Sequence, residues 1–513
     1  MKPVALFSLH DTSQAVRFAQ ELINLGWCIL ASQETIDLLE AQKLPCTNIA
    51  DYCGVKAAYG FPPTLHPRVE HALTQEDSSD RIDLVYVIPY PLSIGNDVGG
   101  RTLLALAAKG RRLPIMSHED MQHVLDILKS GKTVSEKIRQ TLIEKTYAEI
   151  SSHYLNLVSQ TDLGNFTGMI SSRHYELANG ENPYQQATLF GLGEDDTLAL
   201  TQFENLSETP PCYTNLADTD SVINTMCLAS DAFHLKYDRQ PFLCVSAKHG
   251  NPCGMAVSWE RKAEVIERTL FGNPMAVWGG ELIVNFEIDE MLAETLVRHP
   301  KREELLGSAA WMLDVVIAPD FSSGASERLL KRKLRKVFRN PNLSHPHLPT
   351  HPYSYRWVRG GVIRQSPPWR SLKFGELDFV NPVDNKWQPE PADSDNLIIT
   401  WSVAYTSFHG GNEIALAKDG FLIGVGGGPS TVQAAQVAVE RALQAGHDVK
   451  NSIFCADAFF PFTDATQVLI DAGVKMGCVP AGGKNEPLVR KQLAEAGIPM
   501  VYLPEDFRGF CRH

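Results

Sequence analysis

The segment Cys244-Val-Ser-Ala-Lys-His-Gly-Asn-Pro-Cys-Gly254 joins an apolar, strand-like run to two ionisable side chains and a cluster of turn-forming residues. Residues 241–247 are rich in β-favouring side chains, and the glycines and proline that follow predict the end of the strand. Lys248 and His249 would then lie where the backbone meets a cavity, the position that a catalytic base requires. An isolated Lys-His pair more often belongs to an ordinary loop, so its meaning depends on the rest of the chain.

The first 130 residues alternate short apolar runs with amphipathic stretches. Strands are predicted at Val4–Leu9, Cys28–Ala31, Leu84–Ile88 and Pro114–Met116, and helices at Ser13–Leu25, Thr35–Gln42, Arg101–Lys109 and His118–Ser130. This βαβ alternation predicts a parallel sheet covered on both faces. A long helix over Ser135–Leu157, followed by a polar stretch, predicts a domain boundary near residue 160.

The C-terminal part of the chain closes with another α/β pattern. Helices are predicted at Ala465–Ala472 and Glu486–Ala496, and strands at Lys475–Val479 and Met500–Leu503. We expect two α/β subdomains here, divided between residues 360 and 400.

Composition excludes several classes of protein. The net charge of −13 over 513 residues opposes a nucleic-acid surface, which needs clustered Lys and Arg. No run approaches the roughly 18 apolar residues of a membrane-spanning helix, and the N-terminus does not read as a signal peptide, so we expect a cytoplasmic protein without a membrane partner. The ten cysteines are scattered singly, which predicts neither disulfides nor a structural metal site.

Several separated segments together resemble one family, the bifunctional purine-biosynthesis enzymes that combine an AICAR transformylase with an IMP cyclohydrolase. In the C-terminal part the matching segments, all in the family's order, are Gly180-Glu-Asn-Pro, Tyr213-Thr-Asn-Leu-Ala-Asp, Lys248-His-Gly-Asn-Pro-Cys-Gly, Trp278-Gly-Gly, Ile317-Ala-Pro, Val358-Arg-Gly-Gly, Gly411-Asn, Ala417-Lys-Asp-Gly, Ala456-Asp-Ala-Phe-Phe-Pro-Phe and Pro480-Ala-Gly-Gly. In the N-terminal part they are Thr64-Leu-His-Pro, Tyr90-Pro, Asp97-Val-Gly-Gly and Ala107-Ala-Lys.

The resemblance implies an α/β fold with three parts. Residues 1–160 would form a methylglyoxal-synthase-like domain, a doubly wound parallel sheet. Residues 161–380 and 381–513 would form two cytidine-deaminase-like α/β subdomains of a transformylase region without zinc. The family forms homodimers, so a homodimer is the implied assembly.

The implied reaction moves a formyl group from 10-formyltetrahydrofolate to an aromatic amine such as AICAR. The catalytic residues by resemblance are Lys248, His249 and Asn412, which would supply a base near the amine and a donor near the forming oxyanion. Cofactor-binding residues would be Asp457, Phe459, Phe462, Asn251 and Pro252, and substrate-binding residues Asp314, Gly279, Gly280 and Arg508.

Departures from the family pattern concern phosphate binding. An arginine and a tyrosine of the family are replaced by Ala178 and Asn179, and a second arginine is absent near Thr431. Arginines bind phosphate by bidentate, charge-assisted bonds that Ala and Thr cannot make. Replacement ligands would have to come from groups such as Lys484, Arg508 or Arg359.

The cyclohydrolase residues Tyr90, Asp97 and Lys109 persist, but the expected anion site around them does not. A lysine of the family is replaced by Thr12, a Gly-Gly pair by Gln33-Glu34, and an Arg-x-Lys segment by Phe61-Pro62-Pro63. Glu34 would put a carboxylate where a phosphate docks on a helix N-terminus. We therefore expect a formyltransferase whose cyclohydrolase site is vestigial.

Two alternatives stay open from the sequence. The chain could be a fully bifunctional AICAR transformylase/IMP cyclohydrolase with altered phosphate ligands, or a non-catalytic paralogue that binds folate or purine intermediates.

Overall fold

The computed structural model describes residues 2–56, 63–76, 80–161, 163–192, 196–384 and 386–509. These residues divide into two compact units, residues 1–171 and residues 172–513. None of the described helices combines the length and apolarity needed to cross a membrane.

The first unit is built on a five-stranded parallel sheet with the order β3-β2-β1-β4-β5. Its strands are β1 (Val4–Leu9), β2 (Cys28–Ala31), β3 (Thr47–Asn48), β4 (Leu84–Ile88) and β5 (Leu113–Ile115). Its helices are α1 (Ala15–Asn24), α2 (Gln33–Ala41), α3 (Ile49–Cys53), α4 (Pro67–Thr74), α5 (Val98–Lys109), α6 (His118–Lys129) and α7 (Glu136–Ser159). The predicted parallel sheet is confirmed.

Apolar residues bury the two faces of this sheet in two separate clusters. Phe7 and Tyr86 pack edge to face under α1 and α6, while Leu6 and Val85 point to the opposite face. Neighbouring residues of one strand alternate between faces, so these apolar runs require helices on both sides. Polar side chains cap the starts of several of these helices; Ser117, for example, accepts from the amide of the third residue of α6.

The second unit contains β6 (Ser172–Glu176), β7 (Thr188–Gly191), β8 (Glu204–Asn205), α8 (Tyr213–Tyr237), β9 (Phe242–Lys248), β10 (Asn251–Ser258), α9 (Lys262–Gly272), β11 (Glu281–Val284), α10 (Glu290–Val297), α11 (Pro300–Leu306), β12 (Val315–Ala318), α12 (Ser323–Leu330), β13 (Lys336–Arg339), β14 (Ser354–Val358), β15 (Gly361–Gln365), β16 (Asp378–Val380), α13 (Pro391–Thr406), β17 (Ile414–Lys418), β18 (Phe421–Gly426), α14 (Thr431–Gln444), β19 (Ile453–Ala456), α15 (Asp464–Asp471), β20 (Met476–Pro480), α16 (Glu486–Glu495) and β21 (Met500–Leu503).

Twelve of these strands form one mixed sheet that runs through the whole second unit. Their order is β16-β21-β20-β19-β17-β18-β10-β9-β11-β12-β13-β8. The two central hairpins meet along β10 and β18, which pair antiparallel at Ala256 and Phe421. We call this junction the seam.

The sheet contains a topological repeat about the seam. The first repeat (residues 213–339) and the second repeat (residues 391–503) each begin with a helix and a hairpin, and continue with three strands separated by helices. In both, the first hairpin strand pairs antiparallel with the next strand, and the last three strands run parallel. The two halves are therefore built on one framework.

β9 ends at Lys248 as predicted, but the prediction that residues 250–254 form a turn rather than strand is wrong. The chain turns over only two residues, and β10 begins at once with Asn251, Pro252 and Cys253. A register shift between Pro252 and Gly254 accommodates the proline, because a bulge relieves the demand for its missing amide hydrogen. Gly254 is needed for close packing, since a Cβ there would lie 2.5 Å from the carbonyl of Thr269.

Candidate active site

Lys248 and His249 lie at a tight hairpin turn between β9 and β10. His249 and Gly250 both have positive φ, +83° and +74°, as a two-residue turn of this hand requires. We call these two residues the first turn. The His249 side chain is exposed, whereas Gly250 is buried. A positive φ is unfavourable for histidine, so neighbouring groups must hold it there.

Three side chains fix the backbone of the first turn. The amide of His249 donates to Asp218 Oδ2 at 2.9 Å, and Ser221 Oγ donates to the carbonyl of Gly250 at 2.7 Å. Asn251 Nδ2 donates to the carbonyl of His249 at 3.2 Å. Asp218 and Ser221 lie one turn apart on α8, so this helix clamps the hairpin from one face.

Lys248 is half-buried and its Nζ donates to the carbonyl of Trp278. Gly279 lies beside it, because a Cβ on Gly279 would be 3.7 Å from Nζ. Gly280 packs on the strand backbone, where a Cβ would lie 2.5 Å from the carbonyl of Ala247. The structure therefore brings Lys248, Gly279 and Gly280 together.

Asp314 joins this group. Its amide donates to the carbonyl of Gly280 at 2.9 Å, and its carboxylate pairs with Arg332 at 3.3 Å. Burial raises the pKa of Asp314, while Arg332 and Lys248 lower it in part. The Lys248 ammonium is thus close enough to favour the charged carboxylate.

A buried pair of carboxyl groups lies behind the first turn. Asp218 and Glu281, which we call the acid pair, are 7% and 3% exposed. Asn215 Nδ2 donates to Glu281 Oε1 at 3.3 Å. Burial, reinforced by the neighbouring Asp218 carboxyl, raises the pKa of Glu281 to about 10. Glu281 is therefore protonated at neutral pH.

Asn412 lies on the loop that precedes β17. Its Nδ2 donates to the carbonyl of Gly428 at 2.8 Å, and the same loop contacts the residue that follows the first turn, because the amide of Phe408 donates to Asn251 Oδ1 at 2.8 Å. The antiparallel pairing at the seam explains this contact, because the end of β18 at Gly426 lies toward the end of β10 at Asn251. Asn251 thus bridges the two loops that carry the candidate catalytic residues.

Asp457 lies at the end of β19, beside the Asn412 loop. Its Oδ1 accepts from the amide of Glu413 at 3.0 Å, and its carbonyl accepts from the amide of Gly509 at 2.8 Å. Burial, with the nearby Glu413 carboxyl as a further cause, raises the pKa of Asp457 to about 8. His409 Nδ1 pairs with Glu413 Oε2 at 2.8 Å.

The aromatic residues that follow Asp457 differ in their surroundings. Phe459 is half-buried under the Arg508 guanidinium, whose carbon lies 4.6 Å from the ring centre. Phe462 is 62% exposed, and Phe460 belongs to the core. Phe459 and Arg508 therefore form one surface, although the sequence prediction assigned them to different ligands.

In the first unit, Tyr90 and Asp97 lie together. The amide of Tyr90 donates to Asp97 Oδ2 at 3.3 Å, and Asp97 caps α5 by accepting from the amide of Gly100 at 2.7 Å. Lys109 lies at the other end of α5, about 17 Å along the axis for a helix of this length, and pairs with Glu70. Within one chain, Lys109 is not brought to Tyr90 and Asp97.

The structure describes only some of the N-terminal residues that depart from the family pattern. Glu34 lies in the first turn of α2, as expected for a residue that opposes anion binding there. Phe61 and Pro62 lie outside the described residues. His66 caps α4 by accepting from the amide of Arg68.

Sequence reasoning missed the acid pair, Ser221 and Glu413. Asp218 is the last residue of the quoted Tyr213-Thr-Asn-Leu-Ala-Asp segment, so a signal existed for it. Glu281 begins a strand much later in the chain, and nothing in the sequence links the two. Across the described ranges, no group of three or more His, Cys, Asp and Glu side chains is arranged to hold a metal ion.

Comparison with known proteins identifies the family. The family model described as AICARFT/IMPCHase bienzyme matches residues 110–441, which is well over half of the chain.

The chain belongs to the AICARFT/IMPCHase bienzyme family. The match contains Lys248, His249 and Asn412, and it leaves out Tyr90, Asp97 and Lys109. A solved structure titled "Crystal structure of ForH" has 28% sequence identity and a TM-score of 0.28, and the match covers 31% of this chain and 98% of that chain. At this TM-score the likeness adds nothing to the description of the fold.

Proposed function

We propose that this bienzyme-family chain is a folate-dependent formyltransferase that formylates AICAR or a related aromatic amine. The observation that carries the proposal is the clamped Lys248–His249 turn, joined through Asn251 to the loop of Asn412. The cytidine-deaminase-like description of the two repeats and a homodimeric assembly belong to the same proposal, together with a cytoplasmic location.

The three candidate catalytic residues have complementary roles in this proposal. An aromatic amine is a poor nucleophile, so it needs a base as its nitrogen attacks the formyl carbon. The exposed imidazole of His249 accepts that proton, and Lys248 precedes it in the chain at the end of β9. Asn412 donates from its amide toward the oxygen on which negative charge develops.

The surface around Phe459 fits a flat, anionic cosubstrate. Phe459 and the exposed Phe462 offer aromatic faces, and Arg508 and the exposed Lys484 offer positive charge beside them. Gly483 lets the backbone approach Phe459, because a Cβ there would lie 2.5 Å from the ring. When bound, 10-formyltetrahydrofolate supplies the formyl carbon. We assign Asp457, Phe459, Phe462, Asn251 and Pro252 to its side of the site.

The amine substrate belongs on the Lys248 side. Gly279 places no side chain beside the ammonium, and Asp314 offers a carboxylate acceptor for an amide or amine. The acceptor's phosphate, if it has one, lacks the family's arginines, so Arg508, Lys484 and Arg359 are the available cations.

We further propose that the N-terminal domain has lost cyclohydrolase activity. The carboxylate of Glu34 in the first turn of α2 opposes a phosphate at that helix N-terminus. The family match begins only at residue 110, which supports divergence of the residues before it.

Purified protein tests the transferase directly. Mixing it with 10-formyltetrahydrofolate and AICAR should release tetrahydrofolate, and His249→Ala or Lys248→Ala should lower kcat by about 100-fold or more, the usual contribution of a proton-transferring residue. Lys418→Ala is the matched control, because Lys418 ends β17 as Lys248 ends β9 and also donates to the backbone, to the carbonyl of Lys450 at 2.8 Å. It should retain normal turnover.

Two other outcomes would contradict parts of this proposal. No turnover with AICAR or a panel of related amines, together with tight folate binding, would favour a non-catalytic binding protein. Formation of IMP from formyl-AICAR by the unaltered protein would contradict the loss of the cyclohydrolase.

A further inference from the structure

The topological repeat provides an internal control for the candidate active site. The second turn, Asp419–Gly420, joins β17 to β18 as the first turn joins β9 to β10, and both its residues have positive φ. Lys418 precedes it as Lys248 precedes the first turn. Each lysine donates to the carbonyl of the residue three positions before the adjoining strand, Trp278 or Lys450. These shared features belong to the framework.

The helix behind each turn also contributes an acceptor from the same helical position, which bonds to the first residue of the first turn and to the second residue of the second turn. Asp218 and Asn396 are each the sixth residue of their helix, α8 and α13. Asp218 accepts from the amide of His249 at 2.9 Å, and Asn396 accepts from the amide of Gly420 at 2.9 Å. A neutral amide is thus sufficient to clamp such a turn.

Glu281 has an equivalent as well. Glu281 pairs with Ala247 in the sheet, and Ile453 pairs with Ala417, each alanine being the residue before the lysine. The framework therefore accepts an asparagine and a buried isoleucine where the first repeat has two buried carboxyl groups. The acid pair, like His249 itself, is specific to the first turn.

The acid pair is costly to bury, and its geometry indicates a shared proton. Glu281 Oε2 is buried and finds no hydrogen-bond donor in the described parts of the chain. The Asp218 carboxyl lies beside it, and two carboxyl groups can only bond to each other through a proton. The other groups that face Glu281 are Asp314, which precedes β12, and the thiol of Cys253 on β10, with Asn215 as a neutral donor. With one proton, the pair keeps one negative charge.

We propose that Asp218 and Glu281 are a positioning pair whose single negative charge lies behind the first turn and stabilises the imidazolium of His249. This rests on the proposed formyl transfer. As the amine nitrogen bonds to the formyl carbon, the carbonyl π bond opens to an oxyanion and the amine proton passes to the His249 imidazole. The imidazolium returns that proton to the folate nitrogen as the bond from that nitrogen to the formyl carbon breaks and the carbonyl re-forms, and the acid pair takes no proton in either step. Glu281 holds Asp218 in place through the shared proton, and Asp218 holds the backbone of His249.

Three variants test the pair. Asp218→Asn keeps an acceptor for the His249 amide and removes the charge, as in the second repeat. Glu281→Gln keeps a donor to Asp218 and leaves the charge. The double variant Asp218→Asn/Glu281→Ile transplants both residues of the second repeat, which the same framework already accommodates. Two quantities are measured for each: kcat and KM for AICAR, and the titration of His249 by NMR of 13C-labelled histidine, assigned with His249→Ala.

The three variants distinguish the loss of the negative charge of the acid pair from a loss of structure. Loss of a nearby carboxylate lowers a histidine pKa by about one unit or more. Asp218→Asn and the double variant should therefore move the titration of His249 to lower pH and lower kcat by about tenfold, with KM unchanged. Glu281→Gln should behave like the unaltered protein. Normal kcat and an unmoved His249 titration in Asp218→Asn would overturn the proposal.

Failure of the proposed function would be recognised separately. If the unaltered protein formylates no amine, the His249 titration still reports whether the acid pair acts on the imidazole. If the double variant does not fold, Asp218→Asn alone decides, because its amide retains the backbone contact.

Discussion

At the scale of single residues, the most informative side chains are carboxyl groups that the fold keeps protonated. Glu281 and Asp457 are both buried next to a second carboxyl, and each lies beside a loop that carries a candidate catalytic residue. Burial without a cation is unfavourable for a charged carboxylate, so the protonated form has the lower free energy. Such groups are concentrated at functional sites.

Asp457 should make the stability of the protein fall as the pH rises. Its unfolded carboxyl ionises near its ordinary value of 3.8, whereas the folded one keeps its proton up to about pH 8. Between these values folding takes up a proton at Asp457, so each unit of rise in pH lowers the free energy of unfolding by up to about 1.4 kcal/mol. Asp457→Asn should remove this contribution and make the slope shallower, as measured by urea midpoints at about pH 5 and about pH 8.

Asp448→Asn is the control for this measurement. Asp448 is exposed, and hydrogen bonding to the amide of Lys450 lowers its pKa, so its contribution is lost only in acid. The slope between about pH 5 and about pH 8 should stay as in the unaltered protein. An equally steep slope in Asp457→Asn would show that Asp457 ionises normally in the folded state.

At the scale of elements, sequence patterns located regular strands well and the central hairpin poorly. β1, β2, β4 and β21 have the predicted bounds, because apolar runs between turn residues are a clear signal. The hairpin was missed because its turn uses a histidine at positive φ and a proline is the second residue of its second strand, both of which usually mark the absence of a strand. Lys248 and His249 were singled out correctly as neighbours at a strand end, but the acid pair behind them depends on contacts between distant segments.

We expect the positive φ of His249 to lower the stability of the protein, while the His249 side chain is needed for formyl transfer. His249→Gly removes the unfavourable positive φ of a side-chain-bearing residue and should stabilise the protein by about 0.5–1 kcal/mol, while formyl transfer is lost. Asp419→Gly relieves the same strain in the second turn and should leave activity intact. Thermal unfolding and turnover of both variants check this, and a loss of stability in His249→Gly would contradict it.

At the scale of the whole molecule, the chain consists of two units, and the described residues 163–171 between α7 and β6 form neither helix nor strand. Residues 163–171 are exposed, including Leu163 at 73% and Phe166 at 76%. The sequence predicted the boundary near residue 160, where α7 ends, and the compact units divide between residues 171 and 172. The sequence predicted two α/β subdomains within the second unit, but the shared strand order of the two repeats could not be read from it, because only backbone pairing and a few turn residues are shared.

Brief treatment with chymotrypsin should therefore cut first after Leu163 or Phe166. Exposed residues in irregular segments are the preferred sites of proteolysis, and both units retain their own cores. Two stable fragments on a gel, each with its own thermal transition, are the expected result. Leu163→Ala/Phe166→Ala should slow this cut, and persistence of the intact chain while other sites are cleaved would contradict the assignment of a linker.

The seam has a practical consequence for how the second unit could be dissected. Because Lys248 and His249 belong to the half of the sheet that contains β10 and Asn412 belongs to the half that contains β18, a break between Val380 and Pro391 would leave each piece with only part of the proposed catalytic set. Co-expressed pieces could recover turnover only by rejoining along β10 and β18. Enzyme activity would then serve as a split-protein reporter of that one strand pairing.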